Sequence, residues 1–112
     1  MAFMDGLQSL GVDRTVASLI TYFMNVKEGS SKNIEMATGM RQPEVSVAMH
    51  TLRARGWVTE RDFKRDGKGR PMKIYTLRST VDEILEYYET QKIQESARIM
   101  EAIQRLKELS ST

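Results

Sequence analysis

A chain of 112 residues, 40% hydrophobic and 29% charged with a net charge of +2, suits one soluble domain with an appended element and is too short for two ordinary domains. With no cysteine and a single histidine, it offers neither a disulfide framework nor a thiolate metal site, and no cofactor or metal is expected. The first eleven residues lack the basic start and apolar run of a signal peptide, and no segment reaches the roughly 20 apolar residues that span a bilayer. No membrane contact and a cytoplasmic, nucleoid-associated location are therefore expected.

The small net charge hides an uneven distribution. Residues 1–40 carry three basic and four acidic side chains, residues 41–78 ten and four, and residues 79–112 four and seven. A basic middle between acidic flanks can hold phosphates locally, though a solvated Arg-rich surface would show the same count.

In chain order, Phe3, Met4, Leu7 and Leu10 are spaced for one face of a short helix, with Gly6 and Gly11 weakening it. Asp13 is placed to cap a second helix whose Val16, Ala17, Leu19, Ile20, Phe23 and Met24 form a broad apolar stripe, ending near residues 27–29. Ser30 and Ser31 are candidate caps for a two-turn helix containing Ile34, Met36 and Ala37, stopped by Gly39. Gln42-Pro43-Glu44 starts the next helix, because proline suits the first turn and an acidic side chain complements the dipole there. Val45, Ala48, Met49 and Leu52 face its inner side. Pro43, Ser46, Val47, His50 and Arg53 face the other, and Gly56 ends it.

Residues 57–63 and 72–77 are strand-like in composition, and the basic, glycine-punctuated stretch Lys64-Arg65-Asp66-Gly67-Lys68-Gly69-Arg70-Pro71 joins them into a hairpin. Thr80 and Glu83 have capping-box spacing for a last helix. Its Val81, Leu85, Tyr88, Lys92, Glu95, Ile99, Ala102, Leu106 and Leu109 follow each other at alternating steps of four and three, the repeat of a coiled-coil seam. Continuous over 81–109, this helix would run about 43 Å at 1.5 Å per residue. That outruns so small a core, so part of it is expected against a second protomer. A helix folded back over the domain, bent at Glu89-Thr90-Gln91-Lys92, is the alternative. The expected divisions are an N-terminal segment over 1–12 that shares the dimer interface, a DNA-binding domain over 13–78 and a dimerisation helix over 79–112. The interface residues are Phe3, Leu7, Leu10, Val81, Leu85, Tyr88, Ile99, Ala102, Leu106 and Leu109.

The expected fold is mainly α with a small β-hairpin wing: a winged helix-turn-helix with a long C-terminal dimerisation helix. A helix that reads the major groove needs small or hydrogen-bonding side chains near its N-terminal end. Gln42 can pair twice with adenine, Ser46 donates or accepts, and Pro43 or Val47 can touch a thymine methyl. Glu44 either accepts from cytosine N4 or serves only the helix dipole, the simpler role. His50 is either a reader or an idle surface residue. Arg41 and Arg53 suit phosphates better than bases. Lys64, Arg65, Lys68, Arg70 and Lys73 would line the wing, Gly69 letting its tip approach the duplex and Arg70 suiting a narrow minor groove.

The stretch Met36-Ala37-Thr38-Gly39-Met40-Arg41-Gln42-Pro43-Glu44-Val45-Ser46, then Leu52-Arg53-Ala54-Arg55-Gly56-Trp57-Val58, then Gly69-Arg70-Pro71 with Tyr75-Thr76-Leu77, resembles the winged-helix regulators of the ArsR, MarR and TrmB type. Leu10-Gly11-Val12-Asp13 before a long first helix looks most like the small archaeal members near TrmB. The resemblance covers residues 10–78 and implies a homodimeric transcription regulator on a roughly palindromic operator. It places base contacts on Gln42, Pro43, Ser46, Val47 and His50, and wing contacts on Lys68 and Arg70. The cysteine-bearing motif of the metal-sensing branch is absent, and so is the large sugar-binding domain of full-length TrmB proteins, so the residues name no effector.

Expected partners are thus double-stranded DNA and a second copy of the chain. Two other readings use the same parts: a winged helix that docks proteins through its last helix, and an architectural protein that binds DNA without base readout. An enzyme is not expected, since no phosphate-binding glycine loop, nucleophile with its base, or metal-ligand cluster is present.

Overall fold

The computed structural model describes residues 2–64 and 71–111. In chain order the elements are α1 (Ala2–Ser9), α2 (Arg14–Asn25), β1 (Glu28–Ser30), α3 (Ser31–Thr38), α4 (Gln42–Ala54), β2 (Val58–Phe63), β3 (Met72–Leu77) and α5 (Val81–Ser110). Residues 1–81 make one compact unit and 82–112 another.

In the first unit α2 packs against α1, α3 and α4. Its stripe contributes Val16, Ala17, Leu19, Ile20 and Phe23 to the core, where they meet Ile34 of α3 and Val45, Ala48, Met49 and Leu52 of α4, all buried. Asp13 occupies the N-cap of α2 without the expected side-chain hydrogen bond; only its carbonyl engages, accepting from the Ala17 N–H at 2.8 Å. Leu7 is buried within this unit, while Phe3 and Leu10 are half-buried.

The wing is not a lone hairpin. The sheet has three antiparallel strands in the order β1-β3-β2. Between α2 and α3 the chain turns extended at Val26 and lays Glu28, Gly29 and Ser30 beside Thr76, Tyr75 and Ile74. The Leu77 N–H extends this pairing by donating to the Lys27 carbonyl at 2.8 Å. β2 meets β3 with Val58 opposite Leu77, Glu60 opposite Tyr75 and Phe63 opposite Met72. Trp57 lies just before the strand, buried, and its carbonyl accepts from the Arg78 N–H at 2.8 Å, closing the base of the hairpin.

α5, taken alone, is one continuous helix of 30 residues, about 45 Å long at 1.5 Å per residue. The helix runs unbroken through residues 89–92. Its second half leaves Ile99, Met100, Ile103, Leu106 and Leu109 exposed, and Lys92 pairs with Glu95 three residues on at 3.4 Å. Among the described residues no helix is long and apolar enough to cross a membrane.

Candidate nucleic-acid interface

The site is built on α3, the turn after it and α4. Ser30 starts α3 as the last residue of β1: its Oγ accepts from the Asn33 N–H at 3.0 Å, and Asn33 Oδ1 accepts from the Ser30 N–H at 3.4 Å. Such reciprocal bonds satisfy two of the donors a helix start leaves open. Ser31, the other candidate cap, is instead the first helical residue. Thr38 closes the helix by donating its hydroxyl to the Ile34 carbonyl at 2.6 Å while accepting from the Met40 N–H at 3.2 Å. Gly39 turns the chain with φ of 76°, and Met40 is buried as the anchor of the turn.

α4 then starts at Gln42, with Pro43 in its first turn. Glu44 Oε1 accepts from the Arg41 N–H at 2.9 Å. The carboxylate therefore serves the helix start, the simpler of its two expected roles. With Val45, Ala48, Met49 and Leu52 buried, helical geometry turns Gln42, Pro43, Ser46, Val47 and His50 outward, and all five are exposed. Val47 is 73% exposed, an apolar side chain held in water at the centre of an otherwise polar and small-residue surface. Arg41 is exposed at the N-cap.

Arg53, at the end of α4, does not stand free. Its Nη1 donates to Glu60 Oε1 of β2 at 3.0 Å, while Lys73 Nζ of β3 donates to Glu60 Oε2 at 2.9 Å and lies 3.5 Å from Asp62 Oδ1. One carboxylate thus joins the helix to both strands of the wing. The hydrogen bond to Glu60, then the negative charges of Glu60 and Asp62, hold the Lys73 pKa above its ordinary value. Burial and next the charge of Glu60 raise that of the Tyr75 hydroxyl. On the other sheet face Glu28 Oε2 accepts from Thr76 Oγ1 at 2.7 Å and lies 3.5 Å from Arg61 Nη2, while Arg78 Nε donates to Thr59 Oγ1 at 3.0 Å. Exposed pairs of this kind are screened by solvent and contribute little to stability. Their weight lies in where they hold the charges.

Lys64 is exposed at the edge of the described wing. Arg65, Lys68, Gly69 and Arg70, four of the expected wing contacts, lie outside the described residues. Arg55 places its guanidinium 5.5 Å from the centre of the Trp57 ring. Among the described residues no cluster of acidic groups or histidine is arranged to hold a metal ion.

Sequence reading missed Glu60. Strand alternation puts it on the same sheet face as Val58 and Asp62, but the pairing with Lys73 needs the hairpin register, which the sequence of residues 64–71 does not reveal.

The architecture defines a winged helix: a helix-turn-helix followed by a hairpin, with a third strand on the sheet and a long C-terminal helix. Solved structures share it. A possible transcriptional regulator from Methanosarcina mazei Go1 matches with a TM-score of 0.68 over 88% of this chain and 82% of its own, at 13% identity. A transcriptional regulator homologue from Pyrococcus horikoshii OT3 matches at 0.55 over 85% and 97%, at 9% identity. A MarR family regulator from Neisseria meningitidis matches at 0.54 over 98% and 84%, at 13% identity. At such identities the likeness is one of fold. Neither a family model nor a curated protein matches the sequence.

Proposed function

We propose that this protein is a sequence-specific regulator of transcription that binds double-stranded DNA as a homodimer, with α4 in the major groove and the wing on the minor groove and phosphates. The observation that carries the reading is the outer face of α4. Gln42, Ser46 and His50 offer hydrogen-bonding groups and Pro43 and Val47 small apolar surface, all exposed, on a helix whose other side is locked in the core. That is the chemistry base edges require, on a helix of the length and exposure that enters a major groove. The solved structures of like fold, described as transcriptional regulators and in one case as MarR family, support it. Kinship with ArsR and TrmB proteins, and an archaeal type, belong to the same proposal.

Arg41 and Lys64 supply phosphate contacts, and Lys68 and Arg70 supply those to the minor groove. The second copy binds through the exposed apolar stripe of α5, joined by Phe3 and Leu10. A two-fold dimer then presents its two α4 helices to half-sites about 34–36 Å apart.

The test is selection of genomic fragments by the purified protein near physiological salt, followed by sequencing. A two-fold motif among the retained fragments is the expected result. Retention without a motif would replace this reading with architectural DNA binding, and no retention would replace it with a protein-docking role.

A further inference from the structure

We infer that Glu60 is a positioning residue for DNA recognition: it ties the end of α4 to the wing and keeps Arg53 and Lys73 off the phosphates, setting the preference for one sequence over others. The inference rests on the DNA-binding reading above. Its basis is the geometry of one carboxylate whose two oxygens are divided between elements. Oε1 accepts from Arg53 of α4 at 3.0 Å and Oε2 from Lys73 of β3 at 2.9 Å. The Glu60 side chain is 21% exposed against 46% for each cation, so the anion sits beneath the two cations.

Two consequences follow from that arrangement. A helix in the major groove and a wing on the minor groove read one site together only if the angle between them is fixed, and the Arg53-Glu60-Lys73 bridge is a side-chain link between α4 and both wing strands. The bridge also withholds positive charge. Phosphate attraction carries no sequence information and raises affinity for every duplex alike, so two cations committed to Glu60 lower the overall affinity and its salt dependence, while the preference between sequences rests on the positioning.

Glu60→Gln keeps the size of the side chain while removing the charge that holds both cations. Binding would be measured by fluorescence anisotropy on a duplex carrying the selected motif and on an unrelated duplex, across a salt series, with the folded fraction set from melting curves. The variant is expected to bind the unrelated duplex roughly tenfold more tightly at 0.15 M salt. Its slope of log affinity against log salt should steepen by up to about 1.8, since each phosphate newly neutralised adds about 0.9. The preference for the motif should fall by about the same tenfold. In the triple variant E60Q/R53Q/K73Q the slope should return to the wild-type value while the preference stays low.

An equal loss on both duplexes with an unchanged slope would make Glu60 merely structural and overturn the proposal. So would a triple variant with the wild-type preference, because Glu60 would then not position α4 at all. Arg53→Gln alone, which leaves Lys73 on Glu60, gives a check that does not depend on E60Q folding. Its slope is expected to match wild type, and a drop of about 0.9 would place Arg53 on a phosphate and end the proposal. A wild-type protein with no preference between duplexes would fail earlier, on the DNA-binding reading itself.

Discussion

The hydroxyl of Tyr22 occupies the place where a Cβ on Gly29 would stand, with the ring carbon bearing it only 3.0 Å from that point. Gly29 sits in β1, paired with Tyr75, and its φ is not among the positive glycine values. The requirement for glycine here is therefore one of space and not of torsion. Gly29→Ala should cost about 1–3 kcal/mol, the usual range for overpacking. Adding Tyr22→Phe should recover part of that loss, because the hydroxyl is the closest obstacle. Urea unfolding of the two single variants and the double closes the cycle, and strict additivity would disprove the contact.

Gly39 presents the opposite case. A Cβ there would meet nothing within 4 Å, but φ is +76°. Gly39→Ala should cost about 1–2 kcal/mol from backbone strain alone, and Gly39→Asn should cost less, since asparagine tolerates the left-handed region. A melting series of the three proteins measures this, and equal stability of all three would refute it.

Ser30 belongs to two elements at once, as the end of β1 and the cap of α3. Ser30→Ala removes the acceptor for the Asn33 N–H and should lower stability by about 1 kcal/mol, within the 0.5–2 range for lost caps. The Ser30 amide should also lose protection from hydrogen exchange if its bond to Asn33 depends on the capped geometry. Wild-type stability together with wild-type exchange would remove the capping role.

α4 was legible because each of its marks is local. Pro43 and Glu44 announce the start, and the apolar period through Val45, Ala48, Met49 and Leu52 fixes which face is buried, hence which face is offered. α5 was legible for the same reason, from a single apolar period. β1 was not, because Glu28-Gly29-Ser30 has no apolar alternation. Its strand character comes from Thr76, Tyr75 and Ile74, more than forty residues away. The Glu60 bridge was hidden likewise: Arg53, Glu60 and Lys73 meet only once the hairpin register and the exit of α4 are both set.

The charged pairs of the sheet make stability depend on pH in a stated direction. The Thr76 hydroxyl, aided by Arg61 and Arg78, holds the Glu28 pKa below its ordinary 4.5. Glu28 therefore stabilises the fold above that value, and its contribution is lost as the pH falls through the lower folded pKa. Lys73, held above its ordinary 10.5, contributes below that value and ceases to contribute as the pH rises through the folded pKa. Compared with Glu28→Gln, the wild type should melt higher at pH 7, and the gap should shrink as the pH falls through the folded pKa of Glu28 and be narrowed by 1 M salt. A gap that does not shrink with falling pH would mean that the carboxylate charge is not its source.

The exposed apolar stripe on α5 makes the proposed dimer directly testable. Ile99, Ile103 and Leu106 are 53%, 41% and 65% exposed, and apolar side chains repeated along one helix face in water gain most by pairing with the same face of another copy. Replacing Ile99 and Leu106 by Glu puts like charges on that face in both protomers. The expected result by light scattering is conversion of a dimer to a monomer. Affinity for a full two-fold site should fall by tenfold or more, while affinity for a half-site is unchanged. Lys92 and Glu95, already paired within the helix, offer the complementary test. As polar groups on the same seam they can fix register at a cost in stability, so replacing both with Leu should raise the melting temperature while loosening the oligomeric state. A lower melting temperature would show that the Lys92-Glu95 pair supports the helix itself and does not select its partner.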